Sequence, residues 1–389
     1  MRPARQLRPE AELLLACSRT RLSGETRERI RCLARGNLDW ASVRQLAHRH
    51  GVFPLLYRQL SAAAQELVPP AELKSLRAKF LDNAARNVLL TSELEQLVGR
   101  FESAGLPVLA YKGPALAALA YGDTALRRYV DLDVIVRRAD VGRAKSLLAE
   151  RGLRPHLALP PAQERVLLRA QHNMQFTRDE GRVLVELHWE VASRKFASAQ
   201  LEGGVWERAV PVRLGRGEVK SLSPEDLLSS LCVHGARHLW ERLSWICDVA
   251  ELLGSRPRLD WDYVFGRARA ERTERMLLLG LLLAGGQLGA EMPGEIRRRA
   301  TADETAAALA ECVSRRLFER DEYGRAGIAE SVGFNLRARE RWGEKLRYLG
   351  FIFTPTDADL ALVRLPAGLS FAYYLVRPFR LLLGSGKEH

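Results

Sequence analysis

The 389-residue sequence predicts an α+β protein: a strand-bearing middle third embedded between N-terminal and C-terminal helical regions. Three observations predict it. Apolar residues recur at helical spacing through residues 1–100; residues 101–200 carry short apolar runs with the two-residue period of strands, broken by glycine turns; and helical period returns from Ser221. The division into 1–100, 101–200 and 201–389 rests on this change of period. A chain of this length exceeds one ordinary core, so two or three domains are expected.

In the first region Asp39 or Ser42 caps a helix carrying Val43, Leu46 and Ala47, and Pro54 and Pro69-Pro70 punctuate the helices beyond it. A long helix is expected from about Ala71 to Ser103, with Leu89, Leu90, Leu94, Leu97 and Val98 as its apolar stripe. Leu14-Leu15-Ala16-Cys17 has the look of a lipoprotein cleavage box. Glu10 and Glu12 interrupt the apolar run such a leader needs, so a helix and no signal peptide is expected.

The middle third opens with a buried strand at Leu106–Tyr111, which Lys112-Gly113-Pro114 breaks. Pro114 suits a first helical position, and Gly122 can take the left-handed cap of the helix after it. Asp131–Val136 reads as a second strand, with Asp131 and Asp133 on one face and Leu132, Val134 and Val136 on the other. Two adjacent carboxylates repel, and a divalent cation between them removes the cost. Ala139–Arg151 is an amphipathic helix stopped by Gly152, and Pro155–Pro161 is a loop. Runs at Met174–Arg178 and Arg182–Trp189 flank Asp179-Glu180-Gly181, a hairpin signature. In the second run Leu184, Glu186, His188 and Glu190 share a face, with Glu186 placed as a third metal ligand would be.

Beyond Ser221, Ser223 caps a helix opened by Pro224, and helices are expected near 224–238, 240–254, 261–270, 273–290, 302–318 and 337–352. Met276–Ala290 is uncharged but too short to span a bilayer. Leu365–Leu383 mixes aromatic residues with Arg377 and Arg380. It reads as a helix docked on the core, with weak peripheral membrane contact as the second reading.

Net charge is +13, but only eight of the 60 basic residues are Lys and they are spread along the chain. Such an arginine bias follows from a GC-rich genome as readily as from phosphate binding, so nucleic acid is not the favoured partner. The five cysteines are odd in number and show no C-x-x-C spacing, which points away from disulfides and zinc and toward a cytoplasmic setting.

Lys112-Gly113, Tyr121-Gly122-Asp123, Arg127 and Asp131-Leu132-Asp133-Val134-Ile135-Val136, then Val185-Glu186-Leu187-His188-Trp189 and the helices from His234 to Leu253, resemble an uncharacterised bacterial nucleotidyltransferase family of the DNA polymerase beta-type superfamily. The resemblance implies a small mixed sheet with flanking helices. It also implies magnesium-dependent transfer of an NMP from an NTP to an unidentified hydroxyl or phosphate acceptor, in an exopolysaccharide or peptide-modification pathway. Gly113-Pro114 departs from the Gly-Ser or Gly-Gly of many members and lacks a hydroxyl and one backbone donor. In this reading Asp131 and Asp133 bridge two Mg2+ ions and Glu186 holds the catalytic one. Lys112 and the helix start at Gly113 meet phosphate, and Arg127 and Arg128 take the β and γ phosphates. His188 touches substrate. His234 and Asp248 are expected at the acceptor, Gly235 and Ala236 leaving room beside His234. There is no G-x-S-x-G, Walker A or H-E-x-x-H motif. The contrasting class is a nucleotide-binding or scaffolding protein that keeps the fold without turnover.

Overall fold

Short apolar runs buried on both faces form the centre of the protein. β1 (Val108–Ala110) and β2 (Leu132–Val136) are buried at every residue in the computed structural model, which describes residues 7–197, 204–319, 327–363, 365 and 367–382. The expected boundary at 200 and Leu383 lie outside the described residues. The remaining strands are β3 (Arg154–Pro155), β4 (Asn173–Arg178), β5 (Val183–His188), β6 (Val210–Leu214) and β7 (Gly217–Ser221). They join one mixed sheet in the order β3-β4-β5-β2-β1-β7-β6.

Register is what matters for function. β2 runs parallel to β5 and sets Asp133 opposite Glu186 and Ile135 opposite His188. β4 runs antiparallel to β5, closing the expected hairpin, and sets Gln175 opposite Glu186 and Asn173 opposite His188. The chain enters β2 through a bend at Asp131, so Asp131 precedes the strand instead of opening it.

The β6–β7 hairpin is not expected from the sequence. Its inward residues Val212, Leu214 and Val219 alternate, but charged residues and Pro211 hide the pattern, as suits an edge hairpin whose outer row faces solvent.

The helix after β1 begins at Gly113, continues as a wider turn through Ala117–Tyr121, and ends where Gly122 takes the left-handed conformation. The long helix spans Pro70–Ser103. Leu90, Leu94, Leu97 and Val98 are buried as expected, whereas Leu89 lies on the outer face. Its inward face also carries Asn83, Asn87 and Thr91, three buried polar residues one helical turn apart. Asn83 donates to the carbonyl of Ala125, Asn87 to those of Thr124 and Arg127, and Arg86 to that of Val130. The helix therefore clamps the loop leading into β2.

The helices near 224, 240, 261, 273 and 302 form within a few residues of expectation, as Pro224–Arg237, Leu243–Ser255, Trp261–Glu271, Glu274–Leu288 and Glu304–Glu319. Ser223 caps the first of them. The expected helix over 337–352 starts later, as Trp342–Ile352, and is preceded by an unexpected helix, Ile328–Arg337. Arg339 turns inward between them, donating to the carbonyls of Asn335 and Phe196 and stacking on Phe196 and Tyr348. Pro161–Ala170 and Gly294–Ala302 are further helices, neither of them expected from the sequence.

The N-terminal helices pack on the first helices after the sheet. Thr20 donates through its backbone N–H and hydroxyl to Glu251, and the N–H of Leu243 donates to the ring of the buried His50. At the C-terminal end Tyr373 is buried and Arg380 pairs with Asp359, while Phe371, Leu375 and Phe379 face outward. No helix among the described residues is long and apolar enough to cross a membrane.

One buried pair fastens the β2 loop to the C-terminal helices. Arg127 donates Nε–H and an Nη2 hydrogen to the two carboxylate oxygens of Asp248, at 2.7 and 2.9 Å, and the Tyr121 hydroxyl donates to the same carboxylate at 2.7 Å. Asp248 is only 1% exposed, so removing it strands a buried guanidinium and a buried hydroxyl. Asp248→Ala is expected to cost about 3–5 kcal/mol in urea denaturation, with Arg127→Met/Asp248→Leu recovering most of the loss. A cost below about 1 kcal/mol would show that the pair does not fasten the loop.

Candidate active site

Parallel pairing of β2 with β5 brings Asp133, Glu186 and His188 together: one ligand atom from each lies within 4.8 Å of the other two. His188 Nε2 is 2.9 Å from Asp133 Oδ1 and 3.2 Å from Glu186 Oε2. Glu186 is fixed from the other side by β4, where Gln175 donates to Oε1 at 2.7 Å and Asn173 to Oε2 at 2.9 Å. Neither amide stands out in the sequence. The available signal is their alternation on a strand facing Glu186, which only the hairpin register makes meaningful.

Lys112 leaves the end of β1 toward these acids, with Nζ 3.8 Å from Asp133 Oδ1. Gly113 comes next, in the left-handed region at φ 46°, and a Cβ there would meet the carbonyl oxygen of Asp131 at 3.3 Å. A glycine is thus required for the turn to approach the acid loop this closely.

The electrostatics result from crowding like charges in a buried place. Asp131 is pushed up to about 7, first by burial and then by the charges of Asp133 and Glu186, against Lys112 and Arg127. Burial acts the same way on Glu186, but hydrogen bonding and charge from His188, with Lys112 and Gln175, bring it well below its usual range. Burial works against the protonated forms of His188 and Lys112, yet Asp133 and Glu186 raise His188, and Tyr111 followed by Asp133, Glu186 and Asp131 raises Lys112. The Lys112 ammonium and the ring N–H of His188 are the local groups that make the acid cluster tolerable.

The donor set fits a divalent cation. Ligand atoms about 2.1 Å from a metal and at right angles to one another are about 3 Å apart, close to the His188 distances to the two carboxylates. Each Glu186 oxygen receives one amide hydrogen bond and His188 also approaches Oε2, which leaves a lone pair on Oε1 for a metal. His188 Nδ1 is buried with no hydrogen-bond partner, so the ring is held only through Nε2, by the two acids.

The other expected site residues fall in two groups. Arg127 and Asp248 are turned toward each other, so the guanidinium expected at phosphate and the carboxylate expected at the acceptor satisfy one another. Arg128, half-buried beside Arg242 and Arg86, has no carboxylate partner among the described residues; burial and those two arginines hold it below its ordinary value. His234 comes to the site from the Pro224–Arg237 helix, its Nδ1 3.3 Å from Lys112 Nζ. Burial, then the Lys112 charge, pushes His234 well below its usual value, so Nδ1 is an acceptor for the ammonium. The space expected beside it is absent: a Cβ on Gly235 would meet the Trp240 indole at 2.5 Å, so Gly235 serves close packing. Glu190, on the Glu186 face by alternation, lies beyond the end of β5 and pairs with Arg194.

Two further pairs frame the site. The Tyr111 hydroxyl meets Ser230 Oγ, which ties the end of β1 to the Pro224–Arg237 helix, and Arg237 donates to His172 Nε2 at 2.8 Å just before β4.

Comparison with known proteins agrees with this arrangement in one respect. Searches of curated proteins and of solved structures give no match. Residues 36–289, about two-thirds of the chain, match a family described as uncharacterised nucleotidyltransferase, and they include the clamping helix, every strand and the helices that carry His234 and Asp248. The chain belongs to that nucleotidyltransferase family.

Proposed function

We propose that the protein is a metal-dependent nucleotidyltransferase that moves an NMP from an NTP to a hydroxyl or phosphate acceptor and releases pyrophosphate. The observation that carries this reading is the Asp133–Glu186 pair, two carboxylates in direct register on parallel strands with His188 beside them and Lys112 in front. Magnesium, as two ions, is the cofactor of the reading. When bound it would polarise the reacting phosphate and lower the pKa of the acceptor hydroxyl.

The chain's own residues supply the rest. Asp133 and Glu186, with Asp131 at the entrance to β2, provide the oxygen ligands. Asn173 and Gln175 hold the Glu186 carboxylate in one orientation, so it need not reorganise when substrate arrives. Lys112 faces the place where phosphate oxygens would lie, and the helix start at Gly113 adds backbone N–H groups in a helix that continues to Tyr121. Arg128, with no carboxylate partner among the described residues, is the better placed of the two arginines for a β or γ phosphate. An exopolysaccharide or peptide-modification pathway stays the proposed setting, on the resemblance alone.

Asp133→Asn and Glu186→Gln are each expected to lower magnesium-dependent pyrophosphate release from an NTP by about a thousandfold, since the several kcal/mol a bound cation contributes goes with them. Glu190→Gln, whose carboxylate pairs with Arg194, is expected to retain activity. Binding of NTP with no pyrophosphate release in wild type, across hydroxyl and phosphate acceptors, would identify a nucleotide-binding scaffold instead.

Lys112→Ala is expected to raise KM for the NTP about tenfold with little change in kcat, because a phosphate contact made equally before and during reaction contributes uniform binding. A fall in kcat with KM unchanged would assign Lys112 to the departing pyrophosphate.

A further inference from the structure

Three rings lie beside the acid cluster that the chemistry above does not use. His234 and His238 occupy successive turns of the Pro224–Arg237 helix and its cap, with centroids 4.7 Å apart. Trp245 reaches them from the Leu243–Ser255 helix, 5.4 Å from His234 edge-on and 5.3 Å from His238. Arg242 lies over the Trp245 ring at 5.8 Å. His238 is exposed and the other two residues are half-buried, Trp245 packing against the core, so the cluster forms a shelf at the core's edge that opens to solvent at His238.

We propose that the His234–His238–Trp245 shelf holds the nucleobase of the NTP by stacking. The proposal rests on the nucleotidyltransferase reading of the acid site. The shelf starts at Lys112, whose Nζ stands 3.3 Å from His234 and 3.8 Å from Asp133, so a single side chain separates the phosphate end from the aromatic end. A nucleotide has the same layout, with one pentose between phosphate and base. Lys112 donates to His234 Nδ1, which leaves Nε2–H to donate, and it has no acceptor among the described residues. Stacking tolerates any base because every base offers a π face, and Arg242 adds a cation at the rim.

The test is calorimetric titration of the full chain with two probes, MgATP and magnesium tripolyphosphate, the second having phosphates but no base. Trp245→Ala is expected to weaken MgATP binding about tenfold or more and to leave tripolyphosphate binding unchanged, with Trp245→Phe retaining most of the affinity. Trp245 is half-buried, so should its alanine variant fail to fold, His238→Ala, at an exposed ring, makes the same comparison in a folded chain. MgATP affinity unchanged in a folded variant, or equal losses for both probes, would overturn the shelf alone. Wild type binding neither probe would overturn the shelf together with the enzymatic reading.

Discussion

Pairing β2 with β5 in parallel places two carboxylates side by side inside a sheet, and much of the surrounding structure offsets that cost. Asp133 and Glu186 would repel each other strongly in a low-dielectric interior without compensation. His188 lies within hydrogen-bonding distance of both, Lys112 approaches from β1, and two amides on β4 hold Glu186. These groups come from three other places in the chain than Asp133 itself, so the sheet must be assembled before the acids are stabilised. A divalent cation and a phosphate substrate would complete what the protein's own cations begin.

The layer outside that site keeps it in place. Asparagines of the Pro70–Ser103 helix hold the carbonyls of the loop before β2, and Arg127 in that loop is locked onto Asp248 from the opposite side. The loop carrying Asp131 is thus gripped by the N-terminal and the C-terminal helices at once. That explains why a small sheet sits within so much helix. The N-terminal helices also bond directly to the first helices after the sheet through Thr20, Glu251 and His50. The apolar interior is accordingly one continuous cluster running from Ala11 to Tyr373.

Charges and rings lie on opposite sides of Lys112. Acids and Lys112 form one end and the His234–His238–Trp245 shelf the other, with Arg242 and Arg128 at the margin. Apolar packing fixes this layout at its back, where Gly235 admits the Trp240 indole and Gly280 the Cys232 side chain so closely that no side chain would fit.

Sequence alone determined the local elements and the chemical type of the site. Strand period, the Gly113 turn, the Gly122 cap and the Asp-x-Asp run are written in consecutive residues, because propensity, capping and alternation act within a few positions. Sequence spacing also put Glu186 and His188 on one face of a strand. Whatever depends on pairing between distant segments was decided only by the tertiary structure. Alternation made Asp131 and Asp133 equivalent, but the bend at Asp131 and the β2–β5 register group Asp133 with Glu186 and His188 instead. Sequence assigned Arg127 to phosphate and Asp248 to the acceptor, and folding made them partners 121 residues apart. The Asn83–Asn87 clamp and the Asn173 and Gln175 donors were hidden for the same reason. A hydrogen bond or ring contact is a property of two positions, and a single sequence shows each position without its neighbour.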